Sequence, residues 1–357
     1  MTVNKIRKNW IGYVVILVFL AGICLQKMEA KAEYNIEYSG TLVLENDRWY
    51  YYENGQRISD KQGIIYYNGG EFLVVNGMVI TNSGLVQYKD NWYFLYQGQI
   101  QSQYTGLAQY DGEWFYIDRG ILDSSRNGIL RYNGGEFLIS EGRVRYDYSG
   151  LFQNENGDWY FLSNGQVQNQ YSGLAQYDGE WFYIREGKLD INYIGYVKYD
   201  GSVFYVQNGQ MVQNENAIAI YYNAEANKNA YNQDLQEVTR YVNQYRTEVG
   251  VKPVELDDDL CIAACIRAQE MADNDYFSHT RPNGSSCFTI MDEMAIHYTW
   301  AGENIAYGYA SAASVSNGWY HSEGHYRNMV STEFGKIGVG EAADKNGRKY
   351  WVQLFTD

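Results

Sequence analysis

The sequence has very little proline, and none of it lies in the first two-thirds of the chain. Of the 357 residues only Pro253 and Pro282 are prolines. Proline cannot donate a backbone hydrogen bond to a β-ladder and is rare inside sheets. The proline-free stretch 33–216 can therefore form uninterrupted strands.

Long apolar runs are also missing. No segment carries the roughly 20 apolar residues that cross a bilayer as a helix. An uncharged, mostly apolar stretch, 10–24, follows a basic start at Lys5, Arg7 and Lys8, and the residues AKA come just before position 33. This pattern predicts residues 1–32 as an export signal peptide, with a retained anchor as the alternative. We expect a secreted protein of the cell wall or cell surface.

Positive charge is scarce. The chain has 28 Lys and Arg against 43 Asp and Glu, a formal net charge of −15 at pH 7. Binding to a polyanion depends on clustered Lys and Arg. Nucleic acid is therefore excluded as an expected partner.

Cysteine is rare as well. Removing the signal leaves Cys261, Cys265 and Cys287. An exported protein can form one disulfide and keep one free thiol. Cys261 and Cys265 fall on one predicted helix, so Cys287 is the expected partner of one of them, and the spacing does not choose which.

The abundant feature is an internal repeat. GLAQYDGEWFYI occurs twice, at 106–117 and 173–184, and the chain holds 37 tyrosines. Eight glycines open units of similar length, and each is followed by an aromatic core and a second glycine turn. These opening glycines are at positions 40, 63, 84, 106, 128, 150, 173 and 195. Self-similarity at a fixed short period is typical of a repeat array.

Each repeat has the pattern of a β-hairpin. Aromatic strands such as WYFL are bounded by Asn-Gly or Asp-Gly, which are the usual hairpin turns. Because one hairpin is marginal alone, the units are expected to stack. Residues 33–216 are thus predicted to form an all-β solenoid of eight hairpins, with about three hairpins in each superhelical turn.

The W-Y-F/Y core and the N-G-Q turn resemble the cell-wall-binding, choline-binding-type repeats of Gram-positive surface proteins. The resemblance implies attachment to a cell-wall polymer or glycan. The candidate wall- or glycan-binding residues are Trp49, Trp92, Trp114, Trp159 and Trp181. One position departs from the family, because the tryptophan after the opening glycine is replaced, as by Leu107 or Leu174. A cage for a quaternary ammonium needs several aromatic faces, so a stacked sugar is favoured over choline. The alternative is that the aromatics only form the solenoid core.

The pattern changes after residue 216. Residues 217–230 are read as one last strand followed by a polar linker. From 231 to 357 the apolar period becomes helical, with one helix through Leu235 and Val242 and a second after Asp257, and the chain ends in a predicted hairpin. This composition indicates an α+β domain with its own core.

Six ordered motifs of this domain are similar to the bacterial branch of the CAP superfamily, also called SCP-like extracellular domains. They include YFSH, GENIA, GHYRNM and YWVQLF. The resemblance implies an α-β-α sandwich with a cleft lined by His279, Glu303 and His325. The alternatives are purely structural roles, in which His279 forms a hydrogen bond within its own turn and Glu303 caps the backbone near Asn304.

The segment HSEGH does not match the HExxH helix of zinc proteases, since its glutamate is third and Gly324 weakens a helix. Animal and plant relatives carry a second cleft glutamate where this chain has Ser322, and Glu323 is a possible replacement. We expect weak binding of a divalent metal such as Zn²⁺ by His279, Glu303 and His325, with Glu323 as an optional ligand. His297 and His321 are expected at the surface.

Two functions fit these patterns. The first is a non-enzymatic surface protein whose repeats hold the wall while the CAP cleft binds a small ligand or a protein partner. The second is a secreted or surface hydrolase, a peptidase or wall-modifying enzyme, that uses His279, Glu303 and His325 as acid–base groups or metal ligands. The sequence favours the first, because it shows no convincing nucleophile triad.

Overall fold

The computed structural model describes residues 36–37 and 40–357. The predicted signal peptide 1–32 lies outside these residues. Within the described part of the chain, every helix is too short or too polar to cross a membrane. The contacts divide the chain into two compact units, one formed by the described residues up to 83 with 95–101, the other by 84–94 with 102–357.

The repeat region contains eight units of three strands each. The first strands are β2 (Thr41–Glu45), β5 (Gly63–Tyr67), β8 (Gly84–Tyr88), β11 (Gly106–Tyr110), β14 (Gly128–Tyr132), β17 (Gly150–Gln153), β20 (Gly173–Tyr177) and β23 (Gly195–Tyr199). The second strands are β3 (Arg48–Glu53), β6 (Gly70–Val75), β9 (Asn91–Tyr96), β12 (Glu113–Asp118), β15 (Gly135–Ser140), β18 (Trp159–Ser163), β21 (Glu180–Arg185) and β24 (Ser202–Gln207). The short third strands are β4 (Gln56–Arg57), β7 (Met78–Val79), β10 (Gln99–Ile100), β13 (Ile121–Leu122), β16 (Arg143–Val144), β19 (Gln166–Val167), β22 (Lys188–Leu189) and β25 (Gln210–Val212).

Consecutive hairpins are joined by backbone pairing. The third strand of a hairpin pairs with the second strand of the hairpin before it, as β16 does with β12 and β22 with β18. In the first unit a short leading strand, β1 (Ile36–Glu37), adds a parallel pairing to β5. Each hairpin therefore depends on its neighbours, as expected for a stacked repeat.

Turn glycines make this stacking possible. Asn164 and Gly165 both have positive φ, 48° and 72°, the geometry of a two-residue hairpin turn. A Cβ on Gly165 would lie 2.4 Å from the carbonyl oxygen of Arg145. Glycine is required here both for the backbone conformation and for the close approach of the preceding hairpin.

Tyrosine hydroxyls fix the connection between hairpins. Tyr104, Tyr148, Tyr171 and Tyr193 each donate a hydrogen bond to the carbonyl oxygen three residues ahead, in the next first strand. The same rings pack in the cores between hairpins. Part of the high tyrosine content is thus structural.

The remainder of the chain is helices around a small sheet. Its elements are α1 (Glu215–Ala230), α2 (Asn232–Glu248), β26 (Glu255–Leu256), α3 (Asp258–Asp273), α4 (Thr289–Glu293), β27 (Ala301–Tyr307), α5 (Ala312–Tyr320), α6 (Glu323–Met329), β28 (Lys336–Ala343) and β29 (Lys349–Thr356). The predicted helices through Leu235 and after Asp257 and the predicted final hairpin are confirmed.

The strand and linker predicted for 217–230 are wrong, because this segment is helical. The side chain of Asn214 accepts a hydrogen bond from the backbone N–H of Ala217 and so caps α1. Ala217, Tyr221 and Ala224 are buried at helical spacing and join the same core cluster as α3. The alternating pattern of AIAIYYN predicted a strand, but packing in the core with α3 favours a helix here.

The helices cover both faces of a four-stranded sheet with the order β26-β28-β29-β27. Alternate residues of β29 enter two separate cores. Val352 and Leu354 pack mainly with α1, α3 and α4, whereas Trp351 and Phe355 pack with α2, α5 and α6. This is the predicted α-β-α sandwich. Helix α3 packs closely on β28. This close approach requires a glycine at position 340, because a Cβ there would lie 2.3 Å from the carbonyl oxygen of Ala264.

The predicted disulfide is not formed. Cys261, Cys265 and Cys287 are all free and buried. The sulfur of Cys261 accepts a hydrogen bond from the Val339 backbone on β28, and Cys287 lies beside Glu303. The helical spacing that placed Cys261 and Cys265 together also turns them toward the sheet.

Candidate functional site

Glu303 is the centre of the candidate site in the C-terminal domain. It lies on β27 and is 6% exposed. One carboxylate oxygen, Oε1, is 2.7 Å from Nδ1 of His279, and the other, Oε2, is 3.1 Å from Nε of Arg267. The two oxygens of this carboxylate thus have different partners, a histidine and an arginine.

Arg267 belongs to a buried network of alternating charges. Its guanidinium also contacts Glu270 at 2.8 Å and donates to the carbonyl oxygen of Ser278. Arg281 continues the network with contacts of 2.6 Å to both Glu270 and Glu293. Buried charges are tolerated only when they are paired and hydrogen-bonded, and this alternation satisfies that condition around Glu303.

His279 is held through one ring nitrogen and is open at the other. Its side chain is 58% exposed, although Nδ1 contacts the buried Glu303. A carboxylate accepts the N–H of Nδ1, which leaves the lone pair on Nε2. The arrangement orients the ring through Nδ1 and leaves Nε2 open to a metal, a ligand or a proton.

His325 lies nearby on α6. Partial burial lowers its pKa below the usual value, and the neighbouring His279 lowers it further. Its backbone is fixed by Asn304, which donates from Nδ2 to the His325 carbonyl oxygen at 3.0 Å. Asn328 in turn donates to Oδ1 of Asn304 at 2.9 Å. These amides fasten α6 to β27, the strand that carries Glu303.

Cys287 completes a possible metal-binding group. Among the described residues, the ligand atoms of His279, Cys287 and Glu303 lie within 4.8 Å of one another. Burial raises the pKa of the Cys287 thiol to about 12, and the charge of Glu303 raises it too. The thiol is therefore protonated at neutral pH, which does not suit a nucleophile.

The structure brings together some of the predicted residues and not others. His279 and Glu303 are in contact, and His325 is close enough for the charge of His279 to affect it. Glu323 is exposed on the first turn of α6 and is not part of the group described above. His321 ends α5 and bonds to the Asn317 carbonyl oxygen. The HSEGH segment thus spans two helices, unlike a zinc-protease motif.

Sequence reasoning missed the residues that hold the cleft together, namely Arg267, Glu270, Arg281, Asn304 and Asn328. One signal was available for Arg267. It lies on the face of α3 that carries Ala264, Ala268 and Met271, all fully buried. A charge inside an apolar helix face needs a buried partner of opposite sign, and Glu303 is that partner.

The repeats present a second candidate surface. The ring of Trp92 meets Tyr110 of the next hairpin at a centroid distance of 4.7 Å, and Trp159 meets Tyr177 at the same distance, both edge to face. Trp181 and Tyr199 form a similar pair at 5.1 Å. Tyr110 and Tyr177 are each 44% exposed. In the first unit Trp49 and Tyr67 are more widely separated, at 6.4 Å, and Trp114 is half-buried in the core beside Tyr132.

The chain matches two family models. Residues 239–355 match the cysteine-rich secretory protein family, CAP. Seven segments match the choline-binding repeat, namely 41–56, 60–80, 83–101, 103–123, 147–168, 170–190 and 192–212. The hairpin β14–β16 lies between matched segments although it has the same three strands.

Curated relatives match over part of their length. The chain is 36% identical over 132 residues to the uncharacterized protein YkwD of Bacillus subtilis, covering 37% of this chain and 49% of that protein. It is 30% identical over 120 residues to the uncharacterized membrane protein YlbC of the same organism, covering 34% and 33%. The chain thus spans less than half the length of each of these relatives.

Solved structures similar to the chain include an extracellular protein with an SCP domain from Bacillus anthracis, at 17% identity over 77% of this chain and 89% of that one, with a TM-score of 0.34. Choline binding protein F from Streptococcus pneumoniae, solved with a peptidoglycan analogue, is 21% identical over 49% and 58%, with a TM-score of 0.28. The family matches and the observed elements agree: the chain carries choline-binding-type repeats followed by a C-terminal domain of the CAP family.

Proposed function

We propose that the protein is exported, attaches to the Gram-positive cell wall through its repeats, and displays a CAP domain whose cleft binds a small ligand, a partner or, weakly, a divalent metal. The observation that carries the first part is the recurring pair of a half-buried tryptophan with an exposed tyrosine of the next hairpin. Such pairs offer ring faces at regular intervals along the array. Several weak stacking sites on one chain bind a polymer with high avidity.

A sugar fits these sites better than choline does. The positions that would supply a further tryptophan hold aliphatic residues, and these point into the core: Leu107 is 4% exposed and Leu174 is 2% exposed. Each site therefore has two aromatic rings. That suits the apolar face of a sugar ring, whereas a quaternary ammonium is held best by several surrounding rings.

For the cleft, the donor set supports a weak metal site. His279 offers Nε2, and His325 is neutral because its pKa is lowered. Glu303 is a poor direct ligand, because both of its oxygens already have partners. A bound Zn²⁺ would rest mainly on the two histidines, with Glu303 orienting His279.

A second candidate function is a hydrolase of peptide or wall material. The observation in its favour is the His279–Glu303 contact, in which a carboxylate orients an exposed imidazole as it would a general base. The raised pKa of Cys287 speaks against a thiolate nucleophile. A bound ligand therefore remains our first proposal for the cleft.

The wall-binding proposal is tested by sedimenting the full chain with purified Gram-positive cell walls. Replacing Trp92, Trp159 and Trp181 together by Leu should weaken binding about tenfold or more, since avidity multiplies the loss at each site. The matched control is Trp300→Leu, which removes a CAP-domain tryptophan that is 56% exposed. Unchanged sedimentation of a folded triple variant would refute attachment through the repeats.

A further inference from the structure

A cavity of about 310 Å³ lies where the last hairpins meet the CAP domain, entirely within the second compact unit. The hairpins contribute Tyr183, Tyr196 and Lys198. Helices α1 and α3 contribute Tyr221 and Asp259, and the segment after α4 contributes Met294, Ala295 and His297. Small-ligand pockets in proteins start at about 300 Å³, so this cavity has the size for one small molecule.

The walls of the cavity are fixed by close contacts. The hydroxyl of Tyr193 donates to the carbonyl oxygen of Glu293 at 3.0 Å. A Cβ on Gly195 would lie 2.1 Å from that same oxygen. Tyr196 packs against Tyr221 with ring centroids 5.4 Å apart. The cavity is therefore an open pocket bordered by well-packed elements and does not result from a loose junction.

One buried polar atom in the wall lacks a partner. Tyr221 is 1% exposed, and its hydroxyl has no partner at hydrogen-bond geometry among the described residues, although the ammonium group of Lys198 is near enough to affect its pKa. A buried hydroxyl without a partner costs about 1–3 kcal/mol. Native structures rarely leave such a group unpaired, and a bound water or ligand is a common partner.

The charges at the cavity cancel. Lys198 and Asp259, which both line it, form an ion pair with each other. A neutral rim favours neither a cation nor an anion. It still offers donors and acceptors at one end, near the free hydroxyl of Tyr221, while Tyr183, Val197 and Met294 supply an apolar lining.

We infer that this junction cavity is a binding site for a small neutral molecule with several hydroxyl groups, the size of a single sugar ring. Hydroxyls of the ligand would pair with Tyr221 and the Lys198–Asp259 pair, and its apolar face would lie against the tyrosines and Met294. The site is separate from both surfaces described above. It contains neither His279 nor Glu303, and none of the five candidate tryptophans lines it.

The test measures binding of N-acetylglucosamine and glucose to the full chain by calorimetry or saturation-transfer NMR. Tyr221→Phe removes only the unpaired hydroxyl, so binding should weaken about five- to tenfold while thermal stability stays the same or rises. His297→Trp should abolish binding, because His297 is exposed and lines the cavity, where the larger ring would fill the space.

The matched control is Tyr222→Phe, which removes the hydroxyl of the adjacent tyrosine, 45% exposed and outside the cavity. It should bind as the wild type does. The triple tryptophan variant and His279→Ala should also bind normally, which separates this site from the proposed function. The inference is overturned if neither sugar binds, if Tyr221→Phe and His297→Trp bind normally, or if tetramethylammonium binds the cavity in preference to both sugars.

Discussion

The repeat array and the CAP domain build their cores in opposite ways. In the array each hairpin contacts mainly its neighbours, and the clusters between hairpins are small and alike. The CAP domain has two larger cores assembled from distant segments, and a buried ionic network that joins Arg267 of α3 to Glu303 of β27.

This difference determines where each region can be damaged. The array depends on backbone conformations repeated along the chain, so a single turn residue affects a local unit. The CAP cleft depends on a few charged residues, so loss of one leaves others buried without partners. The proposed functions follow the same division, with many weak sites in the array and one site around Glu303 in the CAP domain.

The largest effect is expected from Arg267→Met. This change leaves Glu303 without its buried guanidinium partner and removes one of the two guanidinium partners of Glu270, and it should cost about 3–5 kcal/mol. Thermal unfolding followed by calorimetry should show the loss in the CAP-domain transition. The control is Arg240→Met, which removes an exposed pair with Glu237 and should cost less than about 1 kcal/mol. Equal losses would show that the network does not hold the cleft.

Gly165→Val tests the array in the same way. A β-branched residue is strained at a φ of 72° and would also meet the Arg145 carbonyl oxygen at 2.4 Å. We expect a loss of about 2–3 kcal/mol, measured by denaturant unfolding. Lys188→Val, at an exposed strand position, is the control and should change stability little. If both variants lose the same free energy of unfolding, the turn assignment is wrong.

Metal binding should follow the histidines of the cleft. His279→Ala should abolish zinc uptake at neutral pH and leave the fold intact. Ser322→Glu should tighten uptake about tenfold by adding a carboxylate near the site. Calorimetry is the measurement. No uptake by the wild type, or uptake unchanged in His279→Ala, would reduce these residues to hydrogen-bonding roles.

The smallest effect concerns Glu341, a buried carboxyl on β28. Burial raises its pKa to about 7, although Lys349 opposes the shift. A folded-state pKa above the unfolded value near 4.5 means that protonation stabilises the fold; this contribution is complete below pH 4.5 and is lost as the pH rises through 7. Glu341→Gln should therefore flatten the decline in stability between pH 5 and 8. An unchanged pH profile would contradict the shift.

The sequence predicts the array better than the cleft, for a physical reason. Glycine spacing and Asn-Gly turns are local, so the eight hairpins could be counted before their geometry was known. The resemblance to the CAP motifs implied the sandwich and grouped His279 with Glu303, and the structure places these two side chains in contact. Arg267 and Asn328 could not be placed, because their partners are distant in the chain. Helix α1 was missed because its buried face becomes apparent only when packed on α3.

The most direct test of the account is a parallel wall-sedimentation measurement on the two halves of the chain. The cut belongs between Val212 and α1, since α1 packs with the CAP domain. Both halves are first checked for cooperative unfolding. We predict that residues 33–213 sediment with purified Gram-positive walls. This binding should persist when salt is added, because the contacts are not ionic. Residues 214–357 should stay in solution. Sedimentation of the CAP half alone, with none by the array, would contradict the account.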